Sequence, residues 1–231
     1  MKKLLAFSLS LMLCLLTLPA LGEQANDYTE GSIVTFGSYE QDNDLENGKE
    51  PIEWIVLKVE DDKAMLISRL CLDARAYHKA FVTITWAECT MREWLNDTFL
   101  NEAFSAEEQA KIIPTFIINE DRRGTGTPGG EDTTDRVYFL SYSETIQFFP
   151  DDAGRTAQPT AYAVAHGAYV DKTNGNAWWW LRTPGDRNNS QYKGVDVCGV
   201  RADGRISGYG SRDVNRPSGS VRPVIWIDIS K

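Results

Sequence analysis

Trp178, Trp179 and Trp180 stand consecutively in this chain, followed by Leu181 and Arg182. A strand accommodates three adjacent indoles, because successive side chains leave on opposite faces. Trp178 and Trp180 then share one face and Trp179 takes the other, so at least one face must meet something: the segment is either a core strand covered on both sides or an exposed aromatic platform that stacks on sugar rings or anchors a protein partner. Turn signals flank it. Asn174-Gly175 lies between 168–171 and 177–181, and Asp203-Gly204 lies between 194–201 and 205–207. Both dipeptides accept the positive φ that a tight hairpin needs. With an alternating strand over 221–229, the last third reads as mostly antiparallel β-structure.

The earlier chain has a different pattern. Short strands are expected at 33–36, 52–59 and 64–68, with the acidic turn Glu60 to Lys63 joining the last two as a hairpin. Helices are expected to start at Thr85, Ser105 and Ser141, each followed three residues later by a glutamate, which is the capping-box pattern. Pro114 and Pro150 stop the latter two. Further strands are expected at 115–118 and 137–140, and Pro159-Thr160 opens a short helix running to Gly167. Strands, then helices, then strands again is an α+β arrangement, distinct from the alternation of a parallel sheet.

Residues 1–22 set the expected compartment. Lys2 and Lys3 precede an almost wholly apolar run from Leu4 to Leu18, and Pro19, Ala20 and Gly22 supply the small residues of a cleavage site. This is the pattern of a secretory signal peptide, which leaves residues 23–231 as a single domain, secreted or at the cell surface, with no membrane association after cleavage. The 24 basic and 33 acidic side chains give −9, deepened to −11 once Lys2 and Lys3 leave with the leader. That sign argues against a nucleic-acid partner and against docking on anionic lipid. Cys71, Cys89 and Cys198 remain, so at most one bridge can close within the chain. Cys71 and Cys89 are the nearer pair, but Cys89 falls within an expected helix, where a free thiol packs as a small apolar group.

No motif assembles bond-making chemistry. His78 and His166 are the only histidines, there is no Gly-x-Ser-x-Gly elbow, and neither a Cys-x-x-Cys nor a His-Glu-x-x-His spacing occurs. Neither a catalytic residue, a metal ligand nor a cofactor is therefore assigned. The Gly-rich stretch 123–130 lacks the Gly-Lys-Ser/Thr ending of a phosphate loop and reads as a connecting loop. What the chain does concentrate is polar, aromatic and arginine-rich sequence after the tryptophan run. Trp179, Arg182, Asp186, Tyr192, Tyr209, Arg212 and Arg216 form the candidate ligand-binding set, with the guanidinium forks suited to carboxylate or sulfate; structural salt bridges would account for the arginines equally well.

Several ordered motifs carry a resemblance: Trp86, Cys89, Thr90, Arg92, Trp94, Leu95 and Asn96; Val137 to Ser141; Pro159 to Ala163; Trp178 to Gly185; and Val221 to Ile227. Across 31–229 the chain resembles a bacterial domain family of unknown function found in secreted and surface proteins. In its last third that family is similar to the C-type-lectin-like fold, including formylglycine-generating enzymes. The resemblance implies that the first and last strands pair, setting 33–36 beside 224–229, and that ligand contacts sit on the long late loops, here 183–193 and 208–219. The calcium-lectin triplets are absent, and of the C-terminal cysteine pair of the oxidases only Cys198 is present. The expected function is recognition of an extracellular glycan or protein through those loops. An enzyme on the same scaffold, acting on an extracellular substrate or a protein thiol through Cys198, and an interaction module with no small ligand are the alternatives. Nothing in the sequence fixes an oligomeric state.

Overall fold

A computed structural model of the chain describes residues 28–185, 187, 193–207 and 212–230. Residues 1–22, the expected leader, lie outside the described residues. The fold is α+β, with mostly antiparallel sheets and short helices.

The first sheet has the order β1 (Ile33–Tyr39), β2 (Glu50–Glu60), β3 (Lys63–Ser68) and β11 (Val224–Asp228). Glu60 pairs with Lys63 across a two-residue turn in which Asp61 has φ 50°, so the 60–63 hairpin forms as the sequence implies. The first and last strands do not pair. β1 pairs with β2 and β11 pairs with β3, at opposite edges of the sheet. The reason lies in β3. Ala64 to Ser68 are all buried, and β3 is hydrogen-bonded on both edges, to β2 and to β11, so the β2–β3 hairpin lies between the first and last strands.

The second sheet holds the tryptophan run and has the order β4 (Asp73–Ala74), β10 (Ser220–Val221), β7 (Trp179–Pro184), β8 (Val197–Val200) and β9 (Ile206–Ser207). Every residue of β7 is buried. Alternation sends the indoles apart. Trp178 and Trp180 meet edge to face with centroids 4.7 Å apart, while Trp179 faces the buried Arg222, whose guanidinium lies 4.9 Å from its ring. Indole N–H groups donate from Trp179 to the Arg155 carbonyl at 3.1 Å and from Trp180 to the Arg75 carbonyl at 2.9 Å. The strand is thus covered on both sides with its polar atoms satisfied. The Asp203-Gly204 turn joins β8 to β9, with Gly204 at φ 81°. A small sheet of β5 (Thr115–Ile117) and β6 (Thr133–Asp135) completes the strands; 137–140 contributes only a bridge from Tyr138 to Val224.

The helical region departs from the sequence pattern in one place. Thr85 makes no capping hydrogen bond, Trp86–Glu88 is a single 3-10 turn, and Cys89 returns to extended backbone. The helix begins afresh as α1 (Thr90–Trp94), where the Cys89 sulfur accepts from the Arg92 amide, and continues through a π turn at Leu95–Phe99 into α2 (Leu100–Ala103). Burial explains the restart. Trp86 is fully buried with its N–H donating to Asp135 Oδ2 at 2.8 Å, and Asp135 Oδ1 takes Arg92 Nε at 2.7 Å. That buried three-residue network fixes the two sides of the break. α3 (Ala106–Lys111) and α4 (Tyr142–Phe148) carry complete capping boxes at Ser105 and Ser141, followed by α5 (Asp152–Arg155) and α6 (Ala161–Ala165), the last capped by Thr160.

Candidate functional site

The two turns flagged around the tryptophan strand bring remote segments to one end of the second sheet. Asn174-Gly175 folds Val170 back against Ala177, with Gly175 at φ 76° and the Asp171 amide donating to the Asn176 carbonyl. The Arg201 amide donates to the Arg205 carbonyl across the β8–β9 turn. The Val197 amide donates to the Arg212 carbonyl at 3.0 Å, so 212–214 runs beside the start of β8. The Tyr169 amide reaches the Ser218 carbonyl.

These segments enclose a hollow of about 400 Å³ whose wall includes Trp178, Tyr169, Arg201, Arg212 and Arg216. Trp178 is its floor, only 3% exposed, with the Arg212 guanidinium 4.1 Å from the ring centre. Tyr169 stands exposed on the rim. Burial, followed by the nearby positive charges of Arg216 and Arg201, pushes Arg212 down to about 10. Three cations thus converge on one aromatic surface.

Asp171 and Asp203, also in the wall, are committed to their own turns. Asp171 Oδ1 accepts from the Thr173 and Asn174 amides at 2.8 and 3.3 Å. Asp203 lies 2.6 Å from Arg205 and 3.6 Å from Arg201. Arg216 is exposed and has no ion pair among the described residues. In a chain of net charge −9 the hollow reverses the sign locally, which is the electrostatic form of an anion site.

The sequence-derived set divides. Arg212 and Arg216 share this hollow. Trp179 and Arg182 do not belong to a ligand surface, because both are inside the fold. Trp179 is fully buried between Arg155 and Arg222, and Arg182 is 5% exposed, paired with Glu144 at 2.5 and 3.0 Å and donating to the Phe139 carbonyl at 2.7 Å. Asp186, Tyr192 and Tyr209 lie outside the described residues. Tyr169, Arg201 and Trp178 are among the wall residues that the set omitted. Their signal was the pair of turns, which return 169–171 and 201–203 to the tryptophan strand. The thiols offer no surface chemistry: Cys71, Cys89 and Cys198 are buried and unbridged, and the Cys198 thiol donates to the Pro184 carbonyl. Among the described residues no helix is long and apolar enough to cross a membrane.

A family model described as a domain of unknown function (DUF6273) matches residues 61–229. No curated protein and no solved structure matches the chain.

Proposed function

The chain belongs to the DUF6273 family, a domain of unknown function, and from that premise we propose that it is a secreted or cell-surface bacterial protein that recognises an anionic extracellular ligand. The ligand is an acidic glycan, bearing carboxylate or sulfate, held in the hollow beneath Arg212. The observation that carries this reading is the convergence of Arg201, Arg212 and Arg216 on the Trp178 floor with Tyr169 at the rim. Grouping like charges costs free energy that a bound anion would offset. Forked guanidiniums grip planar or tetrahedral oxyanions, and the exposed Tyr169 phenol offers a flat face to a sugar ring. A volume of about 400 Å³ suits a ligand unit of one or two rings.

The compartment is inferred from the basic start, apolar run and small-residue ending of residues 1–22. The lectin-like architecture is likewise our reading, supported by the late motifs and loop placement; the opposite-edge positions of β1 and β11 depart from the lectin pattern. The test is an array of sulfated, uronate-bearing and neutral glycans probed with the mature protein. Binding confined to acidic members supports the proposal, and binding to neutral glycans alone overturns it.

A further inference from the structure

A second hollow, remote from the first in its lining, carries a different chemistry. It has a volume of about 550 Å³ and is lined by Ala74, Arg75, Lys79, Thr90, Trp94 and His166 among others. At its edge Asp73, 1% exposed on β4, takes His166 Nδ1 on Oδ1 at 2.8 Å and the Ala74 amide on the same oxygen at 2.7 Å. Its second oxygen accepts the Tyr39 hydroxyl at 3.1 Å and lies 3.7 Å from Arg75. The carboxylate is therefore held in one orientation by backbone and side chain together. Burial, with the Asp73 charge beside it, raises the Tyr39 hydroxyl, so Tyr39 stays a neutral donor. His166 is placed by the end of α6, and its ring packs on Tyr162 with centroids 3.9 Å apart.

A carboxylate on Nδ1 selects the tautomer in which that nitrogen carries the proton, leaving the Nε2 lone pair as a base. Among the described residues Nε2 has no hydrogen-bond partner, and the side chain is 39% exposed. Beside it Arg75 lies 4.4 Å from the ring centre of Trp94, and Lys79 adds a second cation. The lining contains neither cysteine nor serine, and water is the nucleophile assigned to the site.

We propose that His166, oriented by Asp73, is the general base of a hydrolytic site for carboxylic esters that carry a negative charge. Nε2 takes a proton from water as the water oxygen bonds to the ester carbonyl carbon. The carbon–oxygen bond to the leaving group then breaks, and the leaving oxygen recovers that proton from His166. Arg75 and Lys79 hold the substrate's anionic group, and Trp94 and Met91 flank its apolar part. The proposal is independent of the glycan reading, because it uses none of the same side chains.

The probe is p-nitrophenyl hydrogen succinate, with uncharged p-nitrophenyl butyrate as comparator, and release of p-nitrophenolate is followed with the mature protein. The succinate ester should be hydrolysed with the higher kcat/KM. His166→Ala should lower kcat by at least about 100-fold while retaining the native near-UV dichroism and Tm. Arg75→Ala should raise KM for the succinate ester and reduce its kcat/KM advantage over butyrate. His166→Gln, which keeps a polar side chain without a basic nitrogen, is the second variant and should lose activity as His166→Ala does. Equal turnover by His166→Ala and the parent, or the absence of turnover by the parent, would overturn the proposal.

Discussion

Arg222 shows how this fold treats a buried charge. Its guanidinium is 1% exposed and meets no carboxylate among the described residues; Nε donates to the Ser68 carbonyl at 3.0 Å, Nη1 to the Arg155 carbonyl at 3.1 Å, and the Trp179 and Phe149 rings flank it. Burial drives it down to about 10, opposed by Cys71. Arg182 uses the other solution, an ion pair with Glu144. Arg182→Ala should destabilise by about 3 kcal/mol or more in denaturant melts, because it strands the Glu144 carboxylate and the Phe139 carbonyl. The thiols make a pH prediction. Burial raises Cys71 and Cys89 from 9.0 to about 12. Their neutral burial favours the fold fully below the ordinary thiol value, and that contribution is lost as pH rises towards about 12. Ellman's reagent near pH ~8 should leave both unmodified in the native protein and modify both in concentrated guanidinium. The sequence showed that Trp179 opposes Trp178 and Trp180. It could not show which face was sealed, because that depends on Arg155 and Arg222 arriving from 24 and 43 positions away.

At the scale of elements, local chemistry was legible wherever it was self-contained. Ser105 and Ser141 cap their helices because both partners of each box lie within three residues. Thr85 presents the same letters and fails, because the buried Trp86–Asp135–Arg92 network pulls the following turn apart. Ser141→Ala should therefore cost about 1 kcal/mol in thermal unfolding, whereas Thr85→Ala should leave cap energetics unchanged. The edge positions of β1 and β11 were hidden for a related reason: strand order depends on β3 being buried on both faces, a property of the assembled sheet. Gly204 is the turn residue with the least freedom. It sits at φ 81°, and a Cβ there would collide with the Asp152 carbonyl oxygen. Gly204→Ala should lower Tm and, by displacing 201–203, weaken anion binding as well.

For the molecule as a whole, net charge constrains where an anion can be held. A protein of net charge −9 repels polyanions at long range, so an acidic ligand is captured only where the local field reverses. Composition argued against nucleic-acid and anionic-membrane partners and was silent on the hollow, since three arginines spread over 16 positions converge only when 201–203 and 212–216 fold onto Trp178. If residues 1–22 act as a leader, expression in a secreting host should give an intact mass for a chain beginning at Glu23. The most direct test of anion recognition is titration calorimetry of a sulfated or uronate-bearing oligosaccharide selected from the array, against the mature protein and its Arg216→Ala and Arg212→Lys variants. Binding that weakens at least about tenfold in either variant, and falls steeply with added salt, is the outcome the account predicts. Affinities that match the parent in both variants, with native Tm retained, would contradict it.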